Sequence, residues 1–171
     1  MKATNILIPT DFSLTSLKVI PALLQQQPAQ QFNIVLVNFL GLSDSITDLL
    51  MLSRRSRERE LITQEFMDEC TKLSRQYADQ ILCLQTEFFY GTTIAVFKNY
   101  LEAREITQIA KLNNYKIEKL TTLSYDPDLL LERSKYKVVS LAPVAQLNSA
   151  ATKPGKVTVP QTLQDMELLE V

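Results

Sequence analysis

Asn5-Ile6-Leu7-Ile8-Pro9-Thr10-Asp11-Phe12-Ser13 is a short apolar run that ends abruptly at a proline, an acid and a hydroxyl residue. Ile6 to Ile8 suit a strand buried on both faces, Pro9 closes the run, and Asp11 with Ser13 supplies the capping chemistry of a following helix. A buried strand turning straight into a helix is the first unit of a parallel α/β sheet. Ligands of such sheets gather where the strands end, so a crevice is expected beside Pro9, Thr10 and Asp11.

Past Ser13, Leu17, Ile20 and Leu24 recur at helical spacing, and Pro21 should bend or delay that helix because it lacks a backbone donor. Gln25 to Gln31, with Pro28, breaks the pattern, and Asn33 to Leu40 reads as a second strand buried on both faces. Gly41 to Ser53 reads as a connection with an apolar turn at Leu49 to Leu52, and the mixed run Arg54 to Glu60 as a solvated helix face. Ile62, Phe66, Cys70, Leu73, Tyr77 and Ile81 then lay one apolar stripe along a helix of several turns. Leu84 to Tyr90 alternates as an edge strand does, with Leu84, Thr86 and Phe88 on one side and Gln85 and Glu87 on the other. Gly91 supplies a turn, Thr92 or Thr93 a cap, and Ile94, Phe97 and Leu101 the apolar face of the next helix. Ile106 to Leu112 is a weaker strand and Asn113 to Pro127 a long polar connection. Asp126-Pro127-Asp128 caps a short helix marked by Leu129 and Leu130, and Lys137 to Ala142 is a last strand stopped by Pro143. Residues 1–143 thus read as one domain of alternating strands and helices. Residues 144–171, with Pro154-Gly155 and the short run Val157 to Val159, read as a tail or dimerisation arm.

The 171 residues suffice to bury about 70% of the unfolded surface in a single core. A formal net charge of −1 creates no single-sign field, which excludes nucleic acid and anionic membrane surfaces as expected partners. No run approaches the ~20 apolar residues of a membrane span and the first residues do not resemble a signal peptide, so a cytoplasmic protein is expected. Cys70 and Cys83 lack metal or redox spacing and read as core or near-core residues, and no metal site is expected. The chain has no histidine, which removes the usual general base, the Ser-His and Cys-His pairs and the commonest zinc ligand.

Ile6 to Ser13, Asn33 to Leu40, Leu84 to Gly91 and Lys137 to Pro143 together resemble the universal stress protein family: an apolar first strand ending in Pro, a small residue, Asp, any residue and Ser, and a closing Val-Val-x-x-Ala-Pro strand. The resemblance implies a three-layer α/β/α, Rossmann-like fold with a five-stranded parallel sheet in the order 3-2-1-4-5 and two helices per face. Members that bind ATP carry a glycine-rich phosphate motif after the fourth strand. Here Lys111 to Tyr125 contains no glycine, the chain's three being Gly41, Gly91 and Gly155. No cofactor is therefore expected, ATP included.

Pro9, Thr10, Asp11, Val37 and Ser124 form the candidate crevice, with Thr122 as a further hydroxyl near it. Asp11 has two readings, a contact to a nucleotide or the residue that organises the turn beside Ser13. The leading functional expectation is a non-enzymatic binding or signalling module acting through a homodimer or a protein partner. Its dimer contact would be the end strand Lys137 to Pro143, or the arm around Val157 to Val159. The alternative is a small molecule or nucleotide held near Asp11. A phosphoacceptor role for Asp11, as in a receiver domain, would need a second acid that Asn5 to Ser13 does not supply.

Overall fold

Ile6, Leu7 and Ile8 are fully buried, yet alternate side chains leave a strand on opposite faces, so the strand they form has to be covered on both. A computed structural model, described over residues 2–42 and 58–143, shows how. The elements in chain order are β1 (Thr4–Pro9), a 3-10 helix (Thr15–Lys18), α1 (Val19–Gln26), β2 (Phe32–Leu40), α2 (Gln64–Gln76), β3 (Ile81–Tyr90), α3 (Ile94–Ala103), β4 (Gln108–Leu112), α4 (Asp128–Arg133) and β5 (Lys137–Leu141). The five strands form one sheet in the order β3-β2-β1-β4-β5, every pairing parallel, as expected. β1 lies in the centre, in register with β2 from Thr4 opposite Phe32 to Pro9 opposite Val37.

Ile6, Ile8, Ile34 and Leu36 form one side of the core with Ile20, Leu23 and Leu24 of α1 and with Phe66, Cys70 and Leu73 of α2. Leu7, Val37, Phe39 and Ile109 pack on the other face against Phe97 and Leu101 of α3 and Leu130 and Leu131 of α4. Two helices thus cover each face. The delay expected at Pro21 takes the form of the 3-10 turn, after which α1 begins at Val19. Pro21 falls in the first turn, where a missing donor is tolerated. Thr63 and Thr93 cap α2 and α3, their side chains accepting from the N–H groups of Phe66 and Val96.

Several boundaries differ from the sequence reading. Ile81 does not continue the stripe of α2 but starts β3. The helix ends at Tyr77, whose C=O accepts from the N–H groups of both Gln80 and Ile81 at 2.9 and 2.8 Å. The Gln80 side chain holds that turn to Leu24, Gln27 and Pro28, a long-range constraint that overrides the spacing of four from Tyr77 to Ile81. Leu129 is exposed while Leu130 and Leu131 are buried, because α4 starts only at Asp128 and turns those two positions to the sheet. β4 begins at Gln108, since Ile106 is used to close α3. Of the charge run, Arg59 and Glu60 are exposed but Glu58 is buried, so the run is not one solvated face. Leu49 to Leu52, Arg54 to Arg57 and the tail 144–171 lie outside the described residues. Among the described residues no helix is long and apolar enough to cross a membrane.

With so few glycines, left-handed positions fall to other residues: Phe12, Glu105, Asn114 and Lys135 all have positive φ. Glu105 follows α3, where its N–H donates to Glu102 C=O at 3.0 Å and the Ile106 N–H to Leu101 C=O at 2.9 Å. This is the Schellman arrangement, with glutamate at the position glycine favours and with buried Ile106 and Leu101 supplying its apolar contact. A left-handed non-glycine residue costs about 1–2 kcal/mol, part of which glycine returns as unfolded-state freedom. Glu105→Gly is therefore expected to stabilise the protein by about 0.5–1 kcal/mol in urea unfolding, with m unchanged.

Candidate functional site

The sheet order reverses direction between β1 and β4, which makes the C-terminal ends of these strands the switch point where open α/β sheets hold ligands. β1 does not simply stop there. The Thr10 N–H donates to Val37 C=O at 2.9 Å, and the Asn38 Nδ2 donates to Thr10 C=O at 2.8 Å, which ties the turn to the end of β2. Phe12 then adopts φ 59° and drives its ring into the core, edge-on to Phe66 and Phe88 at 5.4 and 5.3 Å. A backbone conformation that costs on the order of 1–2 kcal/mol is held by buried aromatic contacts.

The hydroxyls of this turn form a directed chain. Ser16 Oγ donates to Ser13 C=O at 2.7 Å, so Thr10 Oγ1 is the donor in its 2.8 Å contact with Ser16, while Thr10 Oγ1 accepts from the Phe12 N–H at 3.0 Å. Asp11 is the hub and is only 3% exposed. Its Oδ1 accepts from the Ser13 N–H at 3.1 Å and from Ser13 Oγ at 2.6 Å. Its Oδ2 accepts from the Tyr115 hydroxyl at 2.5 Å and from the Glu118 N–H at 3.0 Å. Ser13 Oγ and the Tyr115 hydroxyl also approach to 2.9 Å, both drawn to the same carboxylate. Burial pushes the Asp11 carboxyl up, but the bonds from Ser13, Tyr115 and Glu118 together outweigh it and hold the group below its ordinary value. Burial and the bond to Asp11 push the Tyr115 hydroxyl up to about 12, so it stays a donor.

Tyr115 and Glu118 belong to the segment 113–125 between β4 and α4, which lies across the switch point. Its ends are fastened by backbone bonds: Asn113 N–H to Leu141 C=O, Gly41 N–H to Leu123 C=O, and Tyr125 N–H to Phe39 C=O at 2.7, 2.8 and 3.4 Å. The Tyr125 hydroxyl adds a 2.6 Å bond to Gly91 C=O. Gly91 has φ 135°, and a Cβ there would meet Val96 Cγ1 at 3.2 Å, so this turn requires glycine. Inside the segment, Ser124 Oγ accepts from the N–H groups of Leu120 and Thr121 at 3.2 and 3.0 Å. Those amides are the kind of donors a phosphate would need, and a serine of the same segment occupies them.

Pro9, Thr10, Asp11 and Val37 are thus brought together as expected. Ser124 stands apart, bridged to Leu40 and with its hydroxyl turned into its own loop. Sequence reasoning missed Tyr115 as a partner of Asp11, and it missed Asn38. The latter is 2% exposed, and its Oδ1 has no hydrogen-bond partner among the described residues. Beneath the segment, Ile8, Pro9, Ser16, Val19, Lys111, Tyr115 and Asp128 line a cavity of about 20 Å³, room for roughly one water. Lys111 Nζ lies 3.4 Å from Asp128 Oδ1 at its rim. Among the described residues, larger hollows lie elsewhere, about 510 Å³ beside β3 and Arg59 and about 330 Å³ beside Lys2 to Asn5. Among the described residues no cluster of three or more Cys, Asp or Glu has a metal-binding arrangement.

No family model matches this chain, and neither does any curated protein. Solved structures do. The hypothetical protein PH0823 is similar over 81% of this chain and 95% of its own, at 13% identity and a TM-score of 0.51. MJ0577, a hypothetical protein whose biochemical function was assigned from its structure, matches over 83% and 97%, at 14% identity and a TM-score of 0.51. The universal stress protein UspA from Lactobacillus plantarum matches over 82% and 99%, at 16% identity and a TM-score of 0.48. The likeness to PH0823 and MJ0577 establishes a shared fold.

Because the folded carboxyl of Asp11 titrates below its unfolded counterpart near 3.8, the unfolded chain takes up a proton first as pH falls. The stability that Asp11 contributes is complete above the unfolded value and is lost as pH drops through the folded one. Urea unfolding between about pH 7 and pH 2.5 should show this loss in the wild type. Asp11→Ala should cost about 3 kcal/mol at neutral pH, from several bonds to one buried charge, and should flatten the acid limb.

Proposed function

We propose that this chain is a binding or signalling module of universal-stress-protein type that does not hold ATP, has no catalytic role, and acts through self-association or a protein partner. The observation that carries this reading is the state of segment 113–125. It lies over the switch point, carries no glycine, and directs the amide of Glu118 to Asp11 and those of Leu120 and Thr121 to Ser124. Three phosphates need several converging backbone donors, whereas Tyr115, Leu120 and Leu123 present side chains here, with Lys116 and Lys119 as the segment's only bases. The room beneath it is about 20 Å³, far below the ~300 Å³ at which small-molecule pockets begin.

Self-association is supported by β5, which ends the sheet among the described residues, since an end strand offers a row of backbone groups suited to a two-fold copy of itself. A cytoplasmic location without nucleic-acid or membrane partners goes with this reading, given the net charge of −1. A second reading, a small molecule at the crevice, is favoured by one observation: buried Asn38 beside Thr10 has an Oδ1 without a partner among the described residues.

Denaturing purified protein and assaying the supernatant should release no nucleotide, and calorimetry with ATP at millimolar concentration should show no saturable heat. A one-site micromolar isotherm would promote the second reading to first place. Light scattering at micromolar concentration should give the dimer mass, and proline in place of Val139 on the end strand should reduce it to monomer. A wild type that is monomeric throughout would remove self-association and leave a protein partner.

A further inference from the structure

We propose that the outer edge of β3 docks a single extended segment of a partner protein, one that carries apolar side chains and an acidic side chain on the same side of its backbone. The inference takes from the reading above only that the partner is a protein, and adds where that partner sits and what it presents.

β3 ends the sheet on the side away from β5, and among the described residues it pairs with β2 alone. Its one irregularity is the extra residue Leu82 near its start, and from Cys83 to Tyr90 it keeps unbroken register with β2. A regular end strand of this kind offers backbone groups that an added strand would satisfy. The hollow of about 510 Å³ lies along this same stretch. Thr86 and Phe88 reach it from one face of the sheet and Glu87 from the other, alternating as their partners Leu36, Asn38 and Val37 do. Arg59 and Ile62 wall it on the side of Phe88, and Arg104 on the side of Glu87. A hollow lined from both faces of an end strand straddles that strand's edge. Its concavity cannot be filled by the identical concavity of a second copy, whereas one extended chain, needing about 4.8 Å beside β3, fits along it.

The charges of the walls decide what that chain carries. Glu87 is engaged by Arg104 at 2.6 Å and by the Tyr100 hydroxyl, and Glu58 is buried. Arg59 is exposed and has no ion-pair partner among the described residues. It stands on the wall that also holds Ile62 and Phe88, which pack on the core at their inner side. A carboxylate among apolar side chains answers this wall, and a basic side chain would meet the guanidinium. Because an exposed ion pair contributes little, backbone pairing and apolar contact supply the affinity and Arg59 supplies the choice of partner.

The probe is an acetylated, amidated peptide of alternating valine and threonine in which one central valine is replaced by aspartate, and a twin peptide carries lysine there. Full-length protein should bind the aspartate peptide saturably at high micromolar concentration, shifting the amide resonances of Cys83 to Tyr90 and leaving those of Lys137 to Leu141 unmoved. Arg59→Glu should weaken the aspartate peptide about fivefold and turn the preference toward the lysine twin, an exchange that a folding defect would not produce. N-methylation of one alternate set of peptide amides should abolish binding, and of the other set should spare it. Absence of saturation, shifts on β5, equal effects of the two methylations or a preference untouched by Arg59→Glu would each overturn the proposal. So would β3 amides that shift with protein concentration alone, which would seat a second copy there, or that move in Val159→Lys of the free full chain, which would seat its own C-terminal part. ATP binding by the wild type would instead defeat the preceding proposal, so the two failures are distinguishable.

Discussion

A single carboxylate, that of Asp11, bonds together two parts of the chain that lie far apart in sequence. Two of its donors lie two residues away in its own turn, and the other two lie 104 and 107 residues away, in the segment after β4. A buried ionised carboxylate is unfavourable unless its lone pairs are filled, and here they are filled from both sides. The local pair shapes the entry to the 3-10 turn. The distant pair lays a glycine-free loop across the end of β1. The architecture of the turn and the closure of the crevice are consequences of the same charge.

The fold was legible where its causes are local. Ile6 to Ile8 with Pro9 announce a central buried strand, and the apolar spacing around Phe66, Cys70 and Leu73 announces a helix, because burial on a sheet imposes those periods. The reading failed where the deciding contact is remote. Nothing near Ile81 says that Gln80 will be held by Leu24, Gln27 and Pro28, so a spacing of four looked helical. Nothing near Glu58 says that it will be buried.

The candidate site shows the same division. Pro9, Thr10, Asp11 and Val37 were found because strand ends converge in any parallel sheet, and the capping pair Asp11 and Ser13 lies in sequence. Tyr115 was missed as a partner of Asp11, since a side chain's bond to a residue 104 positions away leaves no mark in composition or period. Ser124 was assigned to the crevice on its hydroxyl alone, yet that oxygen is held by the amides of Leu120 and Thr121. The absence of glycine from Lys111 to Tyr125 was legible directly, because glycine is what lets backbone amides approach a bulky anion without a Cβ in the way.

The double anchoring of the segment between β4 and α4 bears on what a protease would accomplish there. Lys116 and Lys119 are exposed, so trypsin has a natural entry. A cut between them would sever the backbone without separating the pieces, because Asn113 stays tied to Leu141 on one side and Leu123 to Gly41 on the other. The downstream fragment, with α4 and β5, would remain registered on β4 from Gln108 opposite Lys137 to Leu112 opposite Leu141, and through the buried Leu130 and Leu131. The nicked protein would behave as a complementing pair of fragments, and a gel under denaturing conditions would report damage that the folded particle does not feel.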